Sequence, residues 1–125
     1  MSGDGDVFAA NRNGGVSHFA FSADGRFLPK GTIGGGQARG VATAPDGKRL
    51  YMTGASNAIR QFDLESGTEL AAVTLATRGN LHYLAIRKGQ LYAAALDDGR
   101  VYRYDIQADD ALSFVDAISV PSPIP

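Results

Sequence analysis

The run Ala44-Pro45-Asp46-Gly47-Lys48-Arg49-Leu50-Tyr51-Met52-Thr53 decides the fold, because it reads as strand, tight turn, strand and then returns. Glycine accepts the positive φ that a short hairpin imposes, so Asp46-Gly47 marks the turn. Forty-two residues on, Ile86-Arg87-Lys88-Gly89-Gln90-Leu91-Tyr92-Ala93-Ala94 repeats the pattern. Forty-two residues back lies Gly5, in Gly3-Asp4-Gly5-Asp6-Val7-Phe8-Ala9-Ala10. A second landmark keeps the same step: Gly25 matches Gly67, and Leu28, Leu70 and Leu112 are spaced by 42. Two independent landmarks with one period establish an internal repeat.

Each unit reads as four strands. The second unit predicts strands near Gly40–Ala44, Arg49–Thr53, Ala58–Leu64 and Glu69–Leu75; the third predicts Tyr83–Ile86, Gln90–Ala95, Arg100–Ile106 and Leu112–Ile118. Several are mixed rather than alternating, such as Val101-Tyr102-Arg103-Tyr104-Asp105-Ile106. A sheet covered on one face alternates apolar and polar residues, whereas a sheet packed on both faces need not. Small four-stranded sheets stacked around an axis meet that condition, and a period of about 40–50 residues is their signature. The predicted fold is therefore all-β, a β-propeller with three blades in the chain. The blades are expected at 1–36, 37–78 and 79–120, with a tail at 121–125 and the first blade lacking its innermost strand.

The second unit resembles the YVTN-type β-propeller repeat. The resemblance rests on Asp46-Gly47-Lys48, Leu50-Tyr51-Met52-Thr53 with Asn57, and Phe62-Asp63-Leu64-Glu65-Ser66-Gly67. Asp105 echoes Asp63 in the third unit, while the first carries Ala20 there. The resemblance implies a propeller built by repetition and leaves activity open, because this superfamily holds binding proteins, lactonases and structural modules.

Bulk composition excludes several classes. Net charge is −1, with twelve basic and thirteen acidic residues. They are mixed along the chain, without the basic patch expected for nucleic acid. There is no Cys, hence no disulfide and no thiolate metal site or nucleophile. No apolar run approaches the ~18–20 residues of a membrane-spanning helix. The acidic, Gly-rich start does not read as a signal peptide. Location stays open: cytoplasmic for a complete chain, periplasmic or extracellular for a processed one.

Propellers ordinarily have four to eight blades. A three-blade arc would expose two apolar flanks, and the expected remedy is a homodimer that closes a six-bladed ring. The competing reading is a fragment of a longer propeller.

Ligands of propellers sit where loops converge near the axis. Here those loops are the turns between second and third strands, which hold Asn57, Asp97 and Asp98, and the connections between blades, which hold Arg39, Arg78 and Asn80. With His82, which opens an inner strand, Arg39, Arg78 and Asn80 could ring a channel and bind an anion; the competing reading is solvated turn residues. Lactonase-type propellers hold a divalent metal through Glu, Asn and Asp. Asp97, Asp98, Asn57 and Asn13 offer oxygen ligands of that type. Asp-Asp-Gly is also an ordinary turn, and the carboxylates do not recur in every unit, so no metal or other cofactor is expected. His18, beside Phe19 in a strand, reads as packing between blades. Ser17, His82 and Asp63 have no spacing that supports a triad, so no catalytic residue is assigned. Gly34–Gly40 lacks a phosphate-loop ending and any following helix, and reads as a blade connection. The aromatic series Tyr51, Phe62, Tyr83, Tyr92, Tyr102 and Tyr104 falls at repeat-equivalent positions and reads as core.

The functional expectation is a non-catalytic binding or scaffold module that takes a protein or small-molecule ligand at its loop face or central channel. A metal-dependent lactonase-type hydrolase, or a structural domain of an envelope or surface protein, is the alternative.

Overall fold

The computed structural model describes residues 6–75, 80–95 and 99–119. Within them the chain forms eleven strands in three antiparallel sheets, one for each repeat unit. Blade 1 holds β1 (Asp6–Ala10), β2 (Val16–Phe21) and β3 (Phe27–Ile33) in that order. Blade 2 holds β4 (Gly40–Thr43), β5 (Arg49–Thr53), β6 (Ala58–Asp63) and β7 (Glu69–Thr74). Blade 3 holds β8 (Tyr83–Arg87), β9 (Gln90–Ala95), β10 (Arg100–Ile106) and β11 (Leu112–Ser119). Strands neighbour one another in sequence order, so every blade is a simple meander. No helix is long and apolar enough to cross a membrane.

The turn glycines that set the period do the backbone work expected of them. Gly47, Gly67 and Gly89 have φ of 74°, 76° and 76°. A side chain would be strained at that angle.

β5 shows why its sequence is nearly all apolar. Leu50 and Met52 point to blade 1, where they pack with Val16, Ala38 and Phe62. Tyr51 points the other way, into a core shared with Leu81, Leu91 and Tyr102 of blade 3. Successive strand residues face opposite sides, so a strand between two blades buries both sets. All of Leu50, Tyr51 and Met52 are fully buried, and each such side chain contributes about 1.5–3 kcal/mol through burial.

One feature recurs in all three blades without any sequence signature. The pairing of third and fourth strands slips at His18/Phe19, between Ile59 and Gln61, and at Arg103/Tyr104. A bulge sharpens the local twist, which lets the outer strand of each blade splay from the axis.

The inner strands β4 and β8 pack on each other at the axis, and β1, the counterpart of β5 in blade 1, packs on β4. Their approach is close enough to require Gly40. A Cβ there would lie 2.7 Å from Thr53 Oγ1, 2.9 Å from Leu84 N and 3.0 Å from His82 O.

Two expectations change. Tyr83 is not core: it is 62% exposed, because no described strand covers that flank of blade 3. His18 packs within blade 1 rather than between blades. It stacks on Phe8 at 4.5 Å, with Nε2 3.7 Å from Asp6 Oδ1.

Candidate functional site

Loops on one end of the arc are tied together by a repeating backbone stitch. Ala38 N donates to Asn11 O at 3.0 Å, and one repeat later Leu81 N donates to Ser56 O at 2.9 Å. Each bond fastens the connection entering a blade to the turn of the blade before it. The connection entering blade 2 also lies on that blade's own turn at Gly54, where a Cβ would sit 2.1 Å from Gln37 O. Arg39 N also donates to Thr53 O at 2.7 Å. The side chains that follow these stitches are thereby fixed at the mouth of the axial region.

There they converge. A cavity of about 410 Å³ is lined by Ala10, Arg12, Ala38, Arg39, His82 and Tyr83, one pair from each blade or blade entry. Arg39 Nη1 lies 3.2 Å from His82 Nδ1. A guanidinium can only donate, so Nδ1 accepts and the imidazole proton sits on Nε2. That Nε2 is shielded from solvent and has no hydrogen-bond partner among the described residues. Gln37 Oε1, on the same connection, is likewise shielded and unpartnered. Buried polar atoms ordinarily find partners. A cavity lined by two arginines and a histidine, with no acidic side chain in the lining, suits an oxyanion or a polarised carbonyl oxygen.

Of the residues singled out in the sequence, Arg39 and His82 meet directly. Asn57 lies elsewhere in the loop layer: its Nδ2 donates to Leu75 O at 2.9 Å, closing the end of β7. Asn80 is half-buried and outside the lining. Arg78, Asp97 and Asp98 fall outside the described residues. Among the described residues no group of three or more His, Asp or Glu side chains could hold a metal ion. Arg12 and Tyr83 are site residues that the sequence did not single out. Arg12 lies in the turn between β1 and β2, and its place in one cavity with Arg39 depends on how blade 1 sits on blade 2.

A second polar cluster lies between blades 2 and 3, away from these loops. Tyr51 Oη donates to Asp110 O at 2.7 Å. Asp110, at φ 67° and 7% exposed, lies beside the Asp46 carboxyl across the blade boundary. Burial, then the Asp46 carboxylate, raises the Asp110 carboxyl above its ordinary pKa. The Lys48 amide holds Asp46 below its own.

Solved structures with the same architecture are numerous. The periplasmic gluconolactonase of Pseudomonas aeruginosa matches with a TM-score of 0.77 and 17% identity, over 100% of this chain and 42% of that one. A candidate 6-phosphogluconolactonase of Bacteroides uniformis gives 0.74 and 19%, over 98% and 42%. The β-propeller domain of Cps50 (Swd1) from Myceliophteria thermophila gives 0.73 and 10%, over 90% and 41%. At these identities the likeness shows the fold, a β-propeller, and this chain spans about two fifths of each of those chains. No family model matches the sequence, and no curated protein matches it.

Proposed function

We propose that this chain is the arc of a lactonase-type β-propeller that binds a small sugar-acid derivative in the Arg12–Arg39–His82 cavity. The observation that carries the reading is the Arg39–His82 pair, which fixes the imidazole in the lining of a cavity that also holds Arg12 and leaves its shielded Nε2–H without a partner among the described residues. Gluconolactonases among the proteins of similar fold support this class at least as well as a purely non-catalytic module. In the proposed complex the Arg12 and Arg39 guanidiniums hold the ligand's carboxylate or phosphate. The His82 Nε2–H donates to the lactone carbonyl oxygen and steadies the negative charge that develops as water adds.

Calorimetric titration with gluconate and 6-phosphogluconate, with glucose as the uncharged control, tests the binding. Both anions should bind and glucose should not. Arg39→Ala should weaken binding about 10- to 100-fold, the loss of one charge-assisted contact worth about 1.5–3 kcal/mol. Glucose binding as tightly as the anions would overturn the reading. Ring opening of glucono-δ-lactone, followed as acid release, tests the chemistry; binding without turnover returns the site to a binding module.

A further inference from the structure

Three consecutive glycines, Gly34-Gly35-Gly36, open the connection that delivers Arg39 to the cavity. Glycine has more conformational freedom to lose than any other residue, so such a run holds one path only where other groups fix it. Gly34 rests on blade 2, where a Cβ would lie 2.8 Å from Phe62 Cζ. Arg60 Nη1, from the third strand of that blade, donates to Gly35 O at 2.6 Å. Gly36 O accepts from Gly15 N at 2.8 Å, and Gly15 O accepts from Asn11 N at 2.8 Å. The turn that holds Arg12 therefore hangs from the glycine run. It has a second tether there as well, from Ala38 N to Asn11 O.

We infer that Arg60 is a positioning residue for the Arg12–Arg39–His82 cavity, an inference that rests on that cavity binding an anion. Arg60 does not line the cavity. It acts through Gly35, Gly36 and Gly15 on the Arg12 turn, and along the connection on Arg39. Its guanidinium is well fixed for this work. Nε and Nη2 donate to Glu69 Oε2 and Oε1 at 2.9 and 3.0 Å, a bidentate pair that sets orientation as well as position. The guanidinium carbon also lies 5.1 Å from the centroid of the Phe62 ring, within the range of a cation–π contact. Pairing of β6 with β7 slips across Arg60, with Ile59 opposite Val73 and Gln61 opposite Leu70. A bulge re-aims a side chain, and Arg60 reaches both Glu69 on β7 and the connection from blade 1. Forty-two residues on, the third unit has Tyr102. The clamp is thus particular to the connection that carries Arg39 and is not part of the repeat.

Three variants, titrated with 6-phosphogluconate in a calorimeter, test this. Arg60→Met keeps an apolar stem over Phe62, removes every donor and should weaken binding about tenfold. Arg60→Lys keeps the charge but not the planar fork, and should lose most of the same affinity. Glu69→Ala removes an anion, which by charge alone would tighten the binding of another anion. Loss of the fork's anchor should instead weaken it about threefold. In all three the Gly15 and Ala38 amides should exchange with solvent about tenfold faster. Leu81, whose amide makes the matching bond to Ser56 O one blade on, should exchange as in the native chain. Native affinity in Arg60→Lys, or tighter binding in Glu69→Ala, would make the effect one of charge and overturn the inference. Unchanged exchange at Gly15 and Ala38 would overturn it too, as would equal acceleration at Leu81, the mark of a general loss of stability. A native chain that binds no 6-phosphogluconate would overturn the anion-binding reading itself, and the inference with it.

Discussion

Asp110 shows how much of this molecule is decided by single residues that a sequence does not flag. In the sequence Asp109-Asp110 is one more polar turn, and Tyr51 one more core aromatic. Only the packing of blade 3 on blade 2 brings the Tyr51 hydroxyl to Asp110 O and the Asp110 carboxyl to Asp46. Arg12 was hidden for the same reason, whereas Arg39 and His82 were legible because each enters an inner strand. The raised pKa of Asp110 has a definite sign. A carboxyl whose folded pKa lies above its unfolded value adds stability below the unfolded pKa, and loses it as pH rises through the folded one. Asp46, shifted down, does the reverse and loses its contribution as pH falls through its folded pKa. Asp110→Asn keeps a residue that tolerates the left-handed backbone and keeps a donor for Asp46, but never ionises. Its melting temperature at pH 7 should exceed the native chain's by about 2–5 °C. The gain should be smaller at pH 4, because Asp110 takes up its proton in the native chain as pH falls. An equal gain at both pH values would show that charge on Asp110 is not the cause.

Strands were the most legible part of this chain, because the 42-residue step aligns turns whose glycines must adopt positive φ. β5, β9 and β10 fall where expected, and the other predicted strands differ by one residue at their C-terminal end. The bulges between third and fourth strands were not legible, since His18/Phe19, Ile59/Gln61 and Arg103/Tyr104 share no residue type that would mark them. Nor was the stitch between loops, which is made by backbone atoms alone. Gly54 tests that stitch, because its missing side chain lets the turn of blade 2 lie on the connection at Gln37. Gly54→Ala forces a Cβ against Gln37 O and must push the two elements apart. Overpacking of this kind costs about 1–3 kcal/mol, a fall in melting temperature of roughly 4–12 °C for a chain of this size. Because the same connection carries Arg39, the variant should also weaken gluconate binding while it remains folded. A stable variant with unchanged affinity would show that the stitch does not position the site.

At the scale of the whole molecule, the distribution of exposed apolar residues states what is unfinished. Phe21, Phe27 and Leu28 on blade 1 are 48%, 50% and 40% exposed, and Phe114, Val115 and Ile118 on blade 3 are 58%, 38% and 44% exposed. Blade 2, flanked on both sides, exposes no large hydrophobic residue among those described. Patches confined to the two end blades offer faces on which a further blade could pack. Two copies related by a two-fold axis would set blade 3 of each on blade 1 of the other, an isologous arrangement that closes at six blades. Light scattering should then give a mass near twice 13.1 kDa, falling toward the monomer on dilution. Ile118→Asp, at the position paired with Val101 on the face of blade 3 turned away from blade 2, places a charge in the contact and should yield monomer at concentrations where the native chain is dimeric. Its strand content by circular dichroism should not change, since Ile118 lies on the outer strand of its blade. A native chain that remains monomeric at every concentration would assign those flanks to blades of a longer polypeptide, as the greater length of the matched chains allows.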